Sequence, residues 1–125
     1  MYKRQVEASS SHPLAFGSAF PVGSPDPRRG LYSALSRQTG DGQPEGGFHP
    51  KERLSASAAL RAYTSGAAAA ARQGDRRGQL ALGYAADFTA FDVDISLLTA
   101  STAKRALNAK VVATIINGQV AYRRP

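Results

Sequence analysis

Cysteine and tryptophan are absent from this 125-residue sequence, which holds a single methionine and only two histidines. Without thiols the chain forms neither disulfides nor thiolate metal sites, and its redox compartment leaves no mark on it. The histidines, His12 and His49, stand alone. Metal binding by histidine wants pairs at a set spacing, on one strand or at i and i+4 of a helix. Acidic residues are scarce as well, nine Asp and Glu against sixteen Lys and Arg, for a net charge of +7. Long apolar runs are also missing. The longest, Ala67 to Ala71, is far short of the roughly 20 residues that a membrane span needs.

What is present bounds the rest. The length allows one domain at most, or part of one. The hydrophobic fraction is 42%, slightly below an ordinary globular protein, and much of it is alanine, which buries little area. The positive charge is spread in pairs, Arg28-Arg29, Arg76-Arg77, Lys104-Arg105 and Arg123-Arg124. A nucleic-acid surface would gather such charges on one face with aromatics between them. The pairs read instead as solvated surface, and no specific nucleic-acid or membrane partner is expected. The competing reading, a basic nucleic-acid-binding module, predicts retention on DNA at physiological salt.

Residues 1–13 read as a leader or upstream remnant. Met1-Tyr2-Lys3-Arg4-Gln5 matches the translation of a common transposon-based sequencing adaptor whose GTG is read as a start, so residues 1–5 are expected to be an artefact. They lack the apolar stretch of a signal peptide.

Leu14-Ala15-Phe16-Gly17-Ser18-Ala19-Phe20-Pro21-Val22 reads as a short buried strand that leaves through a small-residue turn. Pro21, Pro25 and Pro27 bar its continuation. A parallel strand ending so, with a helix soon after, presents a side chain at the top of a barrel. Here that side chain is the methyl group of Ala19. Asp26 as N-cap and Pro27 at the first helical position then open a helix with Leu31, Tyr32 and Leu35 on its buried stripe. This helix is expected to pack on the outside of the barrel sheet. Thr39 to Pro50 is a Gly- and Pro-rich loop with little apolar content to offset the entropy of ordering it, so mobility is expected.

Ser55 caps the next helix, with Ala59, Leu60 and Tyr63 as its stripe and Gly66 as its break. An alanine-rich helix follows from about Ala67 to Gln73. Thr89 to Phe91 reads as a strand, and Asp87 as the carboxylate that fixes the turn before it. Asp92 and Asp94 lack the apolar surroundings that would separate their pKa values into an acid–base pair. The chain closes on strands Lys110–Ile116 and Gln119 to about Arg123 around Asn117-Gly118, the strongest short hairpin signal available. Its edges are read as an aggregation liability.

From residue 14 onward these motifs resemble the amidohydrolase superfamily, in the branch called amidohydrolase family 3. Gly17-Ser18-Ala19-Phe20-Pro21 is similar to that family's Gly-Ser-Asp-Phe-Pro, with Ala19 at the place of the Asp. Arg53-Leu54 with Ala59-Leu60-Arg61-Ala62-Tyr63-Thr64 resembles a scaffold helix. Gly78-Gln79-Leu80 with Gly83-Tyr84-Ala85-Ala86-Asp87-Phe88 resembles the exit from the barrel into a small sandwich. The resemblance implies an α/β fold, the C-terminal fragment of a (β/α)8 barrel. Residues 14–77 would supply the last barrel strand and C-terminal helices, and 78–125 the C-terminal part of the accessory β-sandwich.

The resemblance also implies a metal-dependent hydrolase of non-peptide C–N bonds, of amide or formamide type. In complete relatives a divalent metal, expected to be zinc, would activate water while the last-strand Asp binds the metal and moves a proton. Ala19 has no lone pair for either task. No catalytic residue, metal ligand or cofactor is therefore expected in this chain, and no hydrolysis by it alone. Ser18 and Phe20 are the residues expected to line a substrate site, and the partner of the complete protein would be a small amide-type molecule. Ala19 has two accounts, a natural change or a sequencing error. A non-catalytic scaffold or binding protein is the alternative function. Localisation is open, with the cytoplasm as the expectation.

Overall fold

The computed structural model describes residues 14–125, so the leader and His12 lie outside the described residues. Its elements run in order as α1 (Pro27–Ser36), α2 (Ala56–Tyr63), α3 (Ser65–Ala70), β1 (Phe88–Phe91), α4 (Lys104–Asn108), β2 (Val111–Ile116) and β3 (Gln119–Arg123). Short 3-10 turns at Pro50–Glu52 and Ile95–Leu97 complete the set. The result is an α/β arrangement of helices beside a small antiparallel sheet, with no closed barrel among the described residues.

Local chemistry sets the helix starts. The Asp26 carboxylate accepts from Arg28 N–H at 3.0 Å, and Pro27 occupies the first turn where a missing N–H costs nothing. α1 ends where Arg37 turns left-handed at φ 62, closing the helix as an αL cap does. Ser55 caps α2 by accepting from Ala58 N–H at 3.2 Å. The break after α2 falls at Thr64 (φ −115, ψ −94), not at Gly66, and α3 starts earlier than the alanine run implied. Gly66 lies inside α3 because Leu14 crosses there. A Cβ on residue 66 would stand 2.0 Å from the Leu14 carbonyl oxygen.

The core is helical. Leu31, Tyr32 and Leu35 of α1 bury against Leu54, Ala56 and Ala59, and against Ile95, Leu98, Ala103 and Ala106. On α2 the fully buried stripe is Ala56, Ala59 and Ala62, while Leu60 and Tyr63 flank it half-buried. Alanine on both sides lets helix backbones approach closely at the cost of little buried area per residue. α1 was expected to pack on a barrel sheet; it packs instead on α2 and α4. Arg28 ties this arrangement together. Its guanidinium forks onto Asp26 and also donates to Ala109 O, the C-cap of α4, at 2.6 Å. A cation at a helix C-terminus meets the negative end of the helix dipole there.

The segment expected as the last barrel strand belongs to no strand among the described residues. Strand identity belongs to a pair of backbones rather than to one segment. Phe16 N–H donates to Ala62 O at 2.9 Å, reinforced by the Phe16 ring meeting Tyr63 edge-on at 5.2 Å.

The sheet has order β1-β2-β3. Asn117 (φ 50) and Gly118 (φ 78) supply the two positive φ angles of the hairpin turn. Each ladder carries one register shift, between Ala90 and Phe91 and between Thr114 and Ile115. Bulges and strands this short blunt the open edges that the hairpin otherwise exposes. Among the described residues there is a single sheet, one layer of the sandwich that the resemblance implies. The Thr39–Pro50 loop substitutes hydrogen bonds for apolar contacts. Thr39 N–H donates to Gln43 O, the Gln38 amide to Gly42 O, and Arg53 to Gly46 O.

Candidate functional site

The turn after Leu14–Ser18 is held by the Ala19 carbonyl, which accepts from Val22 N–H at 2.9 Å and Gly23 N–H at 3.3 Å. Two features of the backbone follow from this closure. Gly23 passes so near that a Cβ on it would stand 2.6 Å from Ser18 O. Ala19 itself sits at φ 51, a left-handed conformation that costs an L-alanine about 1–2 kcal/mol and that Asp or Asn tolerates better.

Beside the turn lies an open cavity of about 270 Å³ lined by Ser18, Ser24, Asp26, Arg29, Ser33 and Tyr63, with Gly17 and Gly30 at its walls. The turn brings Ser18 to it. Phe20 is 68% exposed and is not among the lining residues. Gly30 matters here because the Tyr63 hydroxyl rests on it; a Cβ at residue 30 would lie 1.8 Å from that oxygen. Burial pushes the Tyr63 phenol above its ordinary pKa, so it stays protonated as a donor.

The one carboxylate in the cavity wall is already engaged. Asp26 accepts from its own helix and from both Nε and Nη2 of Arg28, the latter at 2.8 Å. The Arg28 hydrogen bond holds its carboxyl below the ordinary aspartate value against the opposing effect of desolvation. What remains are serine hydroxyls and a phenol, which are weak metal ligands, and the Arg29 guanidinium, a cation that cannot ligate one. Zinc takes imidazole, thiolate or carboxylate. Among the described residues no group of three or more His, Cys, Asp or Glu is gathered that could hold a metal ion. The residues present do not fit one.

The other acids named in the sequence have structural work. Asp87 accepts from Asn117 N–H at 2.7 Å and pairs with Arg77 at 2.7 Å. It fixes a turn, as expected, but the hairpin turn rather than its own. Asp92 accepts from Lys110 N–H at 2.7 Å. Asp94 caps the Ile95–Leu97 turn, and the hydrogen bond from Ser96 lowers its pKa. His49 sits at the far end of the loop with its ring edge-on to Phe48. Arg29, Ser33 and Tyr63 escaped the sequence reading of the cavity. Arg29 and Ser33 are four apart on α1 and share a face, so spacing held that signal. Tyr63 reaches the cavity only through the packing of α2 on α1.

The chain belongs to the amidohydrolase family, whose model matches residues 7–122. It is similar to the putative amidohydrolase YtcJ of Bacillus subtilis (strain 168), at 32% identity over 115 residues that cover 88% of this chain and 20% of that protein. The chain thus spans about a fifth of the relative's length. No solved structure matches it. No helix among the described residues is long and apolar enough to cross a membrane.

Proposed function

We propose that this chain is the C-terminal part of a hydrolase acting on non-peptide C–N bonds of small amides or formamides, and that it carries no hydrolysis by itself. Residues 14–77 would close the barrel and 78–125 would join its accessory sheet. The supporting observation is a family match spanning nearly the whole chain, which in turn spans 20% of its relative. The substrate would meet the chain at residues Gly17–Pro21, where Ser18 lines the cavity and Phe20 is exposed. Zinc, the expected ion of complete relatives, finds no donor set among these residues, so no step is assigned through it.

The test is a direct assay of the purified chain on simple formamides and amides, with and without added zinc. Turnover no faster than in buffer is the expected result, and turnover well above it would overturn the reading. Ala19 favours a second reading, a scaffold or binding protein that keeps the turn without its carboxylate. Under that reading, restoring the acid in a complete protein (Ala19→Asp) leaves hydrolysis absent. Under the first, it raises the rate by the 10²–10⁴ typical of a general base.

A further inference from the structure

The sequence holds two asparagines, Asn108 and Asn117, and only Asn117 precedes a glycine. That pairing carries chemistry as well as turn geometry. The Gly118 nitrogen, once it has lost its proton to water or hydroxide, attacks the side-chain carbonyl carbon of Asn117. A C–N bond forms, the bond to the side-chain nitrogen breaks, and ammonia departs to leave a five-membered succinimide. Water then opens the ring at either carbonyl, giving aspartate or isoaspartate. Glycine admits this attack because no Cβ stands in the way; at Asn108 the methyl of Ala109 does. Asn117 is exposed at the tip of the β2-β3 hairpin and open to water. Both amides of the dipeptide are nevertheless held. Asn117 N–H donates to Asp87 Oδ1 at 2.7 Å and Gly118 N–H to Ala86 O at 3.0 Å. Arg77 fixes the other Asp87 oxygen at 2.7 Å. The Gly118 bond ties up the nucleophile itself, since a hydrogen bond to the neutral amide disfavours its ionised form. Closing the ring also turns the peptide between the two residues out of its place in the hairpin, against both bonds.

We infer that Asn117 is a site of spontaneous deamidation and that the clamp from Ala86 and Asp87 sets its rate. Reaction proceeds from the open turn, so its rate scales with the fraction of molecules in which the clamp has released. A hydrogen bond to a carboxylate is strong enough to lower that fraction about tenfold. The change does not reverse. An aspartate at position 117 puts a second negative charge beside Asp87. Isoaspartate runs the main chain through an extra methylene, which the two positive φ angles of the turn do not accommodate. Either product loosens β3 from β2. The inference is independent of the hydrolase reading, since it uses residues of the terminal sheet and its entrance.

The experiment incubates the purified chain in warm neutral buffer beside a synthetic peptide of residues 111–123, and follows both by mass spectrometry. Trypsin cuts after Lys110 and Arg123 and releases that same segment from the protein, where deamidation adds one dalton. The parent should react about tenfold or more slowly than the peptide, and Asp87→Ala about tenfold faster than the parent. Asn108 is the internal reference and should react slowly in both proteins. Circular dichroism checks that Asp87→Ala keeps its fold. Should it not, the parent in sub-denaturing urea carries the test, with deamidation and hydrogen exchange at Gly118 rising in proportion. A parent as fast as the peptide would overturn the protection, as would equal rates for the parent and a folded Asp87→Ala. Exchange at Gly118 that rises without faster deamidation would do the same. No added dalton on Asn117 in peptide, parent or variant would overturn the site itself.

Discussion

The Asp87 carboxylate grips the backbone N–H of Asn117, thirty positions further on, at 2.7 Å, while the preceding Ala86 carbonyl accepts from Gly118 N–H at 3.0 Å. The entrance to the sheet thus clamps the turn of the terminal hairpin, and Arg77 holds the clamp from behind. Removing the carboxylate in Asp87→Ala leaves the Asn117 amide to water and should cost about 1.5–2 kcal/mol, the lower part of the range for a hydrogen bond to a charged group. Arg77→Ala removes only a part-exposed ion pair, a loss of about 0.2–1 kcal/mol. Denaturant melts of the two variants check the order. If Arg77→Ala cost the more, the clamp would be electrostatic rather than a backbone bond.

Gly66 offers a sharper test of packing against propensity. Alanine in a helix interior is favoured over glycine by about 1 kcal/mol. Here the added Cβ would collide with the Leu14 carbonyl at 2.0 Å, and backbone cannot swing aside as a flexible side chain can. Gly66→Ala should therefore destabilise, by about 1–3 kcal/mol net of that gain. It should also release the segment bound through the Phe16 amide to Ala62 O. Hydrogen exchange at Phe16 reads this directly. A more stable variant with Phe16 still protected would show that the segment does not lie on α3.

Acid should loosen the junction of α1 and α4. The folded carboxyl of Asp26 has a lowered pKa, chiefly from the Arg28 hydrogen bond, so the folded state takes up its proton at lower pH than the unfolded chain does. Its contribution to stability is complete above about pH 5 and is lost as pH falls below about 4 toward the folded value. Asp26→Asn, which keeps a capping oxygen, should flatten that part of the pH–stability curve. Melting temperatures of the two proteins between pH 3 and pH 7 give the comparison, and parallel curves would remove Asp26 from the account.

Position 19 combines a left-handed backbone with a side chain unsuited to it. Ala19→Asn and Ala19→Asp should be tolerated or stabilising by up to about 1 kcal/mol. Ala19→Val should lose at least as much, because β-branched side chains resist positive φ. Thermal melts of the series test this. A stabilising valine would mean that the turn relaxes out of the left-handed region in solution.

Local chemistry made several parts of this molecule legible from residue order. The Asp26-Pro27 start of α1, the Ser55 cap of α2 and the Asn117-Gly118 hairpin depend on neighbours in sequence, and each stands where the residues put it. The turn was legible in part: the sequence put it at Gly17-Ser18, and the structure closes it between Ala19 and Gly23. Long-range facts were not. Whether Leu14 to Phe16 is a strand depends on a second backbone. The partner of α1, the reach of Arg28 to Ala109 and the hold of Asp87 on Asn117 join residues distant in the chain.

Sequence alone therefore determined the caps, the turns and the family likeness, since each is written in a few adjacent side chains. Tertiary structure alone decided which faces meet, where Tyr63 and Arg29 converge, and that Ala86 and Asp87 hold the hairpin turn. The physical reason is that burial and pairing are relations between surfaces, fixed only once the helices have packed.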